Sequence, residues 1–321
     1  MRYFLSFMIG MGIGSSLLAQ DSILVAEPNF IPVVTYWNLN DTFSYTVMKT
    51  DVQFTEDGIV KDSTGNQYNL KLTVKDSTDS IYVIEVLRSF DWNELGLTMK
   101  QLRLTNKDMD SIDEILNSEH LEYVISQVGI YKETRNLKNI SKAVEYMLKN
   151  YLETDTISDA SKAQVQSIFD KLSTPEYVNA KIMDVIILMH KFYGLRLAQD
   201  SIWEFDQKAQ NPFAPDQVMN YHNRVLTTIP EDWGGLVRLQ NYVSINASDF
   251  IGMVKGLFSG INITSKQKEE MVESYPTVEI YISYAIDKDL GKVESMYMEK
   301  SIYFKDKLAR LQTIWMESVD E

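Results

Sequence analysis

Residues 174–192 read TPEYVNAKIMDVIILMHKF, and past the N-terminal segment no other stretch lacks a polar face so completely. Ile182, Met183, Val185, Ile186, Ile187, Leu188 and Met189 point in almost every direction around a 3.6-residue period. A helix here must therefore be covered by protein on most sides. Thr174 is placed to cap it, and Pro175 takes the first helical position, where a missing N–H costs nothing. Glu176 suits the positive end of the dipole, and Gly194 stops the helix just past Tyr193. The alternative is a membrane span, which needs about 20 apolar residues. Lys181, Asp184 and Lys191 bracket the apolar run too closely for that. The reading is a central strut.

Strand-like sequence lies on both sides of the strut. Phe43, Tyr45 and Val47 fall on odd positions and Val52 and Phe54 on even ones, a switch of face that predicts a bulge near residues 49–51. Tyr68, Leu70, Leu72 and Val74 alternate with polar residues, which gives a strand with one wet face. Residues 81–87 are apolar on both faces except Glu85, as in a central strand. Turn residues at Asp57-Gly58, Gly65-Asn66 and Val128-Gly129 predict hairpins.

Beyond the strut, Met219, Tyr221, Val225, Thr227 and Ile229 alternate, as do Val237, Leu239, Val243 and Ile245, with a turn at 230–235 between them. Residues 278–287 and 292–304 form a hairpin around Asp289, Leu290 and Gly291. Residues 308–319 fit either a helix (Leu308, Leu311, Trp315) or one face of a strand (Leu311, Trp315, Val319), and a closing strand is the preferred reading. The stripe Leu137, Ile140, Val144, Met147, Leu148 and Tyr151 is helical, and so is the one after Ser158. Further short helices are expected at 108–116, from Ser248, and from Thr264.

The expected fold class is α+β. Antiparallel β blocks from the N-terminal part (35–135) and the C-terminal part (194–321) pack around a helical middle (136–193) in one domain, preceded by an extended surface arm at 20–34. Residues 1–19 read as a secretory signal: Arg2, then an apolar core over 4–13, then small residues to Ala19, with cleavage before Gln20. An uncleaved membrane anchor is the competing reading. The mature chain then has no transmembrane span and is exported, to the periplasm, the outer-membrane periphery or the exterior of a Gram-negative cell.

The chain carries 45 acidic and 31 basic residues in 321, a net charge of −14 that repels phosphate backbones and argues against nucleic acid as a partner. Cysteine is absent. That excludes disulfides, thiolate zinc sites, a thiol nucleophile and a lipidated cysteine after cleavage.

Candidate chemistry is sparse. His120, His190 and His222 lack metal-site spacing. His190 on the buried strut is a packed histidine or a tuned group facing a ligand. Asp287-Lys288-Asp289-Leu290-Gly291 resembles the start of a calcium loop, but Lys292 and Met298 occupy the positions where such a loop needs glycine and glutamate, so a plain turn is preferred. No nucleophile elbow, P-loop or dinucleotide fingerprint occurs, and no cofactor is implied. Glu94, Glu204, Asp206, Glu231 and Asp232 offer carboxylates without a spacing that pairs them. Trp37, Trp92, Trp203, Trp233 and Trp315 either fill the core or line a groove; Trp203, Trp233 and His190 are the ligand-lining candidates.

An Asp-Ser/Thr pair followed by an aliphatic residue or threonine recurs, placing Ser63, Ser77, Ser80, Ser111, Thr156 and Ser201 in a pattern that resembles the O-glycosylation acceptor motif of exported proteins in Bacteroidota bacteria. The same residues are good turn and cap formers. Trp37-Asn38-Leu39-Asn40-Asp41, the strand from Tyr45, residues 68–79 and Tyr82-Val83-Ile84-Glu85-Val86 resemble a group of exported Bacteroidota proteins with no assigned activity. The resemblance implies compartment and layout and supplies no catalytic residues. The functional expectation is an exported, non-catalytic binding or envelope-associated protein, holding an apolar, lipid or glycan ligand between sheet and helices. A carboxylate-dependent glycan hydrolase and a surface structural module are the alternatives.

Overall fold

A computed structural model of the chain describes residues 30–88, 120–152, 174–211, 214–231, 233–245, 276–304 and 307–319. The described N-terminal strands are β1 (Phe30–Pro32), β2 (Thr42–Phe54), β3 (Val60–Ser77), β4 (Ile81–Arg88), β5 (Leu121–Ser126) and β6 (Tyr131–Arg135). Helices α1 (Leu137–Leu152), α2 (Pro175–Ile182) and α3 (Asp184–Met189) follow. The C-terminal strands are β7 (Arg196–Ala198), β8 (Ser201–Asn211), β9 (Ala214–Thr228), β10 (Leu236–Ile245), β11 (Pro276–Asp287), β12 (Lys292–Phe304) and β13 (Lys307–Ser318).

Eleven strands form one antiparallel sheet in the order β6-β5-β4-β3-β2-β13-β12-β11-β10-β9-β8, while β1 pairs with β7. Every neighbour in the large sheet follows its predecessor in sequence except at one place, where β2 pairs with β13. That ladder splices the two ends of the chain, with Val47 opposite Met316 and Asp51 opposite Gln312. The Arg310 guanidinium grips both oxygens of Asp51, with Nε donating to Oδ1 at 2.7 Å, and Gln312 donates to Oδ2 at 3.1 Å. A fork-on-fork pair of this kind is among the stronger polar contacts a protein makes.

The α+β expectation is therefore corrected: the described chain is predominantly β, with one continuous sheet in place of two blocks around a helical centre. The alternating series at 68–74 and 237–245 and the hairpin strands at 278–287 and 292–304 do lie on strands, but the turn expected at Gly65-Asn66 is absent: β3 runs unbroken through it, with Gly65 opposite Thr50 and Asn66 opposite Lys49. What local pattern cannot show is that the outermost strands of the two blocks carry complementary polar residues and pair with each other. Residues 307–318 are strand because they are held on both sides, by β12 and β2.

Two local expectations also change. The bulge placed at residues 49–51 is absent from β2, whose register shifts only at Gln53/Phe54. Lys49 and Asp51 instead continue the inward face of Tyr45 and Val47 as polar members, bound to Asp184 and Arg310. The arm at 20–34, expected on the surface, is described from residue 30, and there Ile31 and Val33 are core residues. The helices expected at 108–116 and after Ser158, Ser248 and Thr264 lie outside the described residues.

The strut exists and is covered as its composition requires. Val178, Ile182, Met183, Val185, Ile186, Leu188, Met189, Phe192 and Tyr193 are all buried. It is broken, however, into α2 and α3 at Met183. Asp184 opens the second helix, accepting the Val185 N–H at 2.7 Å and the Lys49 ammonium at 2.9 Å. Arg88 donates to the Ile182 carbonyl at 2.8 Å, satisfying an oxygen at the end of α2 that the break leaves without an intrahelical donor.

Contacts from the strut fix the shape of the sheet. Tyr123 on β5 hydrogen-bonds His190 at 3.1 Å, and Asn223 on β9 accepts from Lys191 at 3.3 Å. Strands β5 and β9 are eight places apart in the sheet order, which on a flat sheet is about 38 Å at roughly 4.8 Å per strand. Adjacent residues have Cα atoms only about 3.8 Å apart. The sheet must therefore curl around the strut into an open trough, its inner face lined by the alternating residues identified as apolar.

One end of the trough is plugged. Tyr193 Oη and Trp37 Nε1 both donate to the Gly291 carbonyl, at 2.7 and 3.2 Å, and Thr35 Oγ1 donates to the Gln127 carbonyl at 2.9 Å. Gly194 takes φ +81° and donates its N–H to the Val33 carbonyl. The turn at Gly291 (φ +61°) presses on the chain at Val34, and a Cβ there would overlap the Val34 carbonyl. Gly291→Ala is therefore expected to destabilise by about 2–5 kcal/mol, combining left-handed strain with overpacking. Gly58→Ala, at φ +78° with open space around it, should cost only about 1–2 kcal/mol. Urea unfolding of the two variants measures the difference.

Candidate functional site

The buried histidine is accounted for by its neighbours. A carbonyl only accepts, so His190 Nδ1 donates to the Gly129 carbonyl (2.8 Å), and Nε2 then accepts from Tyr123 Oη (3.1 Å). Trp37, Tyr123 and Tyr193 surround the ring. Burial holds its pKa down to about 4, partly offset by the Gly129 hydrogen bond. Both ring nitrogens are occupied, leaving no lone pair for a metal. Among the described residues no three His, Asp or Glu side chains come together as a metal site.

The next residue is different. Lys191 follows α3 and sends its ammonium toward the inner face of β9. On that strand Tyr221, Asn223, Val225 and Thr227 are buried, and on β10 Val237, Leu239, Asn241 and Val243 are buried. Asn223 and Asn241 thus sit on a mostly apolar face, both at 0% exposure. In its charged form Lys191 can only donate, so it fixes Asn223 with Oδ1 toward Nζ. Asn241 Nδ2 donates to the same oxygen at 3.3 Å, which turns Asn241 Oδ1 away, buried and without a partner.

No carboxylate among the described residues pairs with Lys191; its remaining contact is the Phe192 ring at 5.5 Å. Part of the side chain keeps intermediate exposure. Protein nonetheless surrounds the ammonium closely enough that desolvation pulls its pKa from 10.5 down to about 7.

The mouth of this polar floor is aromatic. Phe205 lies opposite Asn223 and Trp203 opposite Val225, so both point to the inner face of β8. Strand β8 ends the sheet order. The two rings stack at 4.4 Å between centroids, with Trp203 39% exposed. The stacked rings lie on the inner side of an edge strand, beside two buried amides and an ammonium with no carboxylate partner among the described residues.

Of the proposed lining residues, Trp203 belongs to this arrangement. His190 is enclosed in the aromatic cluster. Trp233 lies in the turn between β9 and β10 with the Arg238 guanidinium 5.6 Å from its ring. The structure does not bring the three together. Trp37 is core, while Trp315 lies on the outer face in a ladder with Tyr297, Tyr281 and Tyr242. Trp92 is outside the described residues.

The carboxylates singled out do not meet in a cleft. Glu204 and Asp206 point outward from β8, paired with Arg224 at 3.5 Å and His222 at 2.9 Å. Glu231 is exposed in a turn, and Glu94 and Asp232 are outside the described residues. Asp287 Oδ1 accepts the N–H groups of Asp289 and Leu290, the behaviour of a turn. Ser63, Ser77 and Ser80 are exposed on β3 and the turn after it, and Ser201 donates to the Ala198 carbonyl. Ser111, Thr156 and the Ala19/Gln20 junction are outside the described residues. No described helix is long and apolar enough to cross a membrane.

Among the described residues, fold and site together define a β protein whose eleven-stranded sheet curls around a segment of its own chain, with an aromatic pair on its β8 edge. No family model matches the chain, and no curated protein matches it. Among solved structures, a chain from a study of lipid–protein interactions in lipovitellin overlays 88% of this chain at a TM-score of 0.39 and 6% identity. The overlay spans 25% of the lipovitellin chain. At that score the likeness carries no argument about fold or function.

A lysine held below its ordinary pKa destabilises the fold wherever the unfolded chain binds a proton that the folded chain has released. Stability should therefore rise between pH 7 and about 10 through Lys191, and between pH 4 and 6.5 through His190. Above about pH 10 it should fall, because burial raises the pKa of Tyr45, Tyr123, Tyr193 and Tyr284 and only the unfolded chain ionises them freely. Lys191→Met should remove only the middle rise. At neutral pH it should stabilise by on the order of 1–2 kcal/mol, or about 2–6 °C in thermal midpoint. Thermal unfolding of both proteins across this pH range tests the assignment.

Proposed function

We propose that this is an exported, non-catalytic binding protein that holds an apolar ligand against the inner face of its curled sheet, entered at the β8 edge. One observation carries the reading: Trp203 and Phe205 stack on the inner side of an edge strand, Trp203 exposed and Phe205 half-buried against the core, beside a buried polar floor. A stacked aromatic pair on the inner face of a curled sheet, next to buried polar groups, has the make-up of a ligand site. Export rests on residues 1–19, whose charged start, apolar core and small residues before Gln20 have the form of a cleaved signal.

A binding role fits the chemistry better than hydrolysis. Inside the trough Asp51 is held by Arg310 and Gln312, and Asp184 by Lys49. Each is committed to joining parts of the fold, whereas a glycosidase pair needs two free carboxyls facing one space. The floor offers amides and an amine, groups that orient a ligand.

The protein should bind the uncharged fluorophore 1-N-phenylnaphthylamine with saturable enhancement near one equivalent. Trp203→Ala with Phe205→Ala should weaken binding about tenfold or more without changing the far-UV circular dichroism. Unsaturable enhancement, or affinity untouched by the double variant, would remove the β8 edge as the site.

A further inference from the structure

Resting on the binding reading, we propose that the ligand is an acyl chain whose head bears both an anionic oxygen and a hydroxyl, as in a hydroxy fatty acid. Lys191 takes the anionic oxygen and Asn241 Oδ1 accepts a hydrogen bond from the hydroxyl. The floor carries two unmet demands of opposite kind. Lys191 is a cation with no carboxylate partner among the described residues; it donates to an amide oxygen at 3.3 Å and lies 5.5 Å from the Phe192 ring. Asn241 Oδ1 is an acceptor, fully buried, with no donor.

These demands come from one network and, with Lys191 protonated, cannot be relaxed by flipping an amide. Lys191 imposes the orientation of Asn223, and Asn223 Oδ1, now an acceptor, imposes the orientation of Asn241. A plain carboxylate answers the lysine and leaves Asn241 bare, while an alcohol answers Asn241 and leaves the charge bare. A head carrying both groups a few bonds apart answers each. The aromatic entrance suits the chain behind it, since Phe205 lies directly across from Asn223 and Trp203 one inward position further along β8. Lys191 and Asn241 are thereby assigned to separate parts of one head group.

The test displaces 1-N-phenylnaphthylamine from the full mature chain with dodecanol, dodecanoic acid, dodecyl phosphate and 3-hydroxydodecanoic acid. Dodecanoic acid should compete at least about tenfold better than dodecanol, and 3-hydroxydodecanoic acid better still by about three- to tenfold. Lys191→Met should abolish the advantage of the acid over the alcohol and, by freeing Asn223 and Asn241 to flip, shrink that of the hydroxyl. Asn241→Leu should abolish the advantage of the hydroxyl alone and keep that of the acid. A general loss of structure would lower all four ligands together, so the selective loss in Asn241→Leu is one that misfolding does not produce.

Dodecyl phosphate distinguishes the sources of the anion: equal competition with the acid assigns the lysine to any anionic oxygen, weaker competition to carboxylates. If the fluorophore binds but all four ligands compete alike, or the variants shift them in parallel, the head-group assignment is overturned while the apolar site stands. If the fluorophore does not bind at the β8 edge, the binding reading itself fails.

Discussion

Cover for the segment from Ile182 to Tyr193 is the requirement that shapes the rest of the molecule. Its side chains are apolar nearly all round, and no single layer of sheet or helix can bury a rod on every side. The chain meets this by wrapping one long sheet about it, so that consecutive residues His190 and Lys191 reach strands β5 and β9 from opposite sides. Curling brings the two halves of the chain around a common axis, and the β2–β13 ladder holds them there. The break at Met183 belongs to the same solution. Asp184 and the Ile182 carbonyl are bound by Lys49 and Arg88, residues of the wrapping sheet rather than of the helices.

The two faces of His190 and Lys191 show how one element serves both stability and function. At His190 every polar atom is matched, and the surrounding tyrosines and Trp37 lock the plugged end of the trough. One residue on, the matching stops. Lys191 and Asn241 hold polar atoms in a buried setting without full partners, an arrangement that costs stability in the empty protein. A ligand that supplies the missing partners removes that cost. The contrast between neighbouring residues makes the second environment informative, because the same fold satisfies the first so completely.

Much of this was legible in the residues themselves. The alternation of Tyr68, Leu70, Leu72 and Val74, the turns at Gly129 and Gly291, and the buried strut all stand where local pattern places them. The fold class was not legible, because strand pairing between residues 45–53 and 310–318 depends on polar partners more than 250 positions apart, such as Thr50 and Thr313 with a separation of 263. Inward polar residues misled the reading of β2. Lys49 and Asp51 looked like a change of face, when they are the inner face continuing through ion pairs.

The same signal hid the site. On β9 and β10 the apolar series steps over Asn223 and Asn241. Each occupies an inward position by the alternation of its own strand, and a polar residue on a buried face is the mark of a polar network or a ligand. Reading those two gaps as findings would have located the floor, though not Lys191, whose direction is set only once the strut is folded into the trough.

The splice between β2 and β13 is the feature on which curl, trough and site all depend, and the absence of cysteine makes it directly testable. Thr50 and Thr313 face each other across that ladder with their hydroxyls 2.6 Å apart. In a Thr50→Cys, Thr313→Cys protein, mild oxidation should give one intramolecular disulfide in nearly every molecule, seen as a faster-migrating band on denaturing gels and as a cross-linked peptide pair by mass spectrometry. Two thiols that stay free, or that link only between molecules, would contradict the joined sheet and the trough built on it.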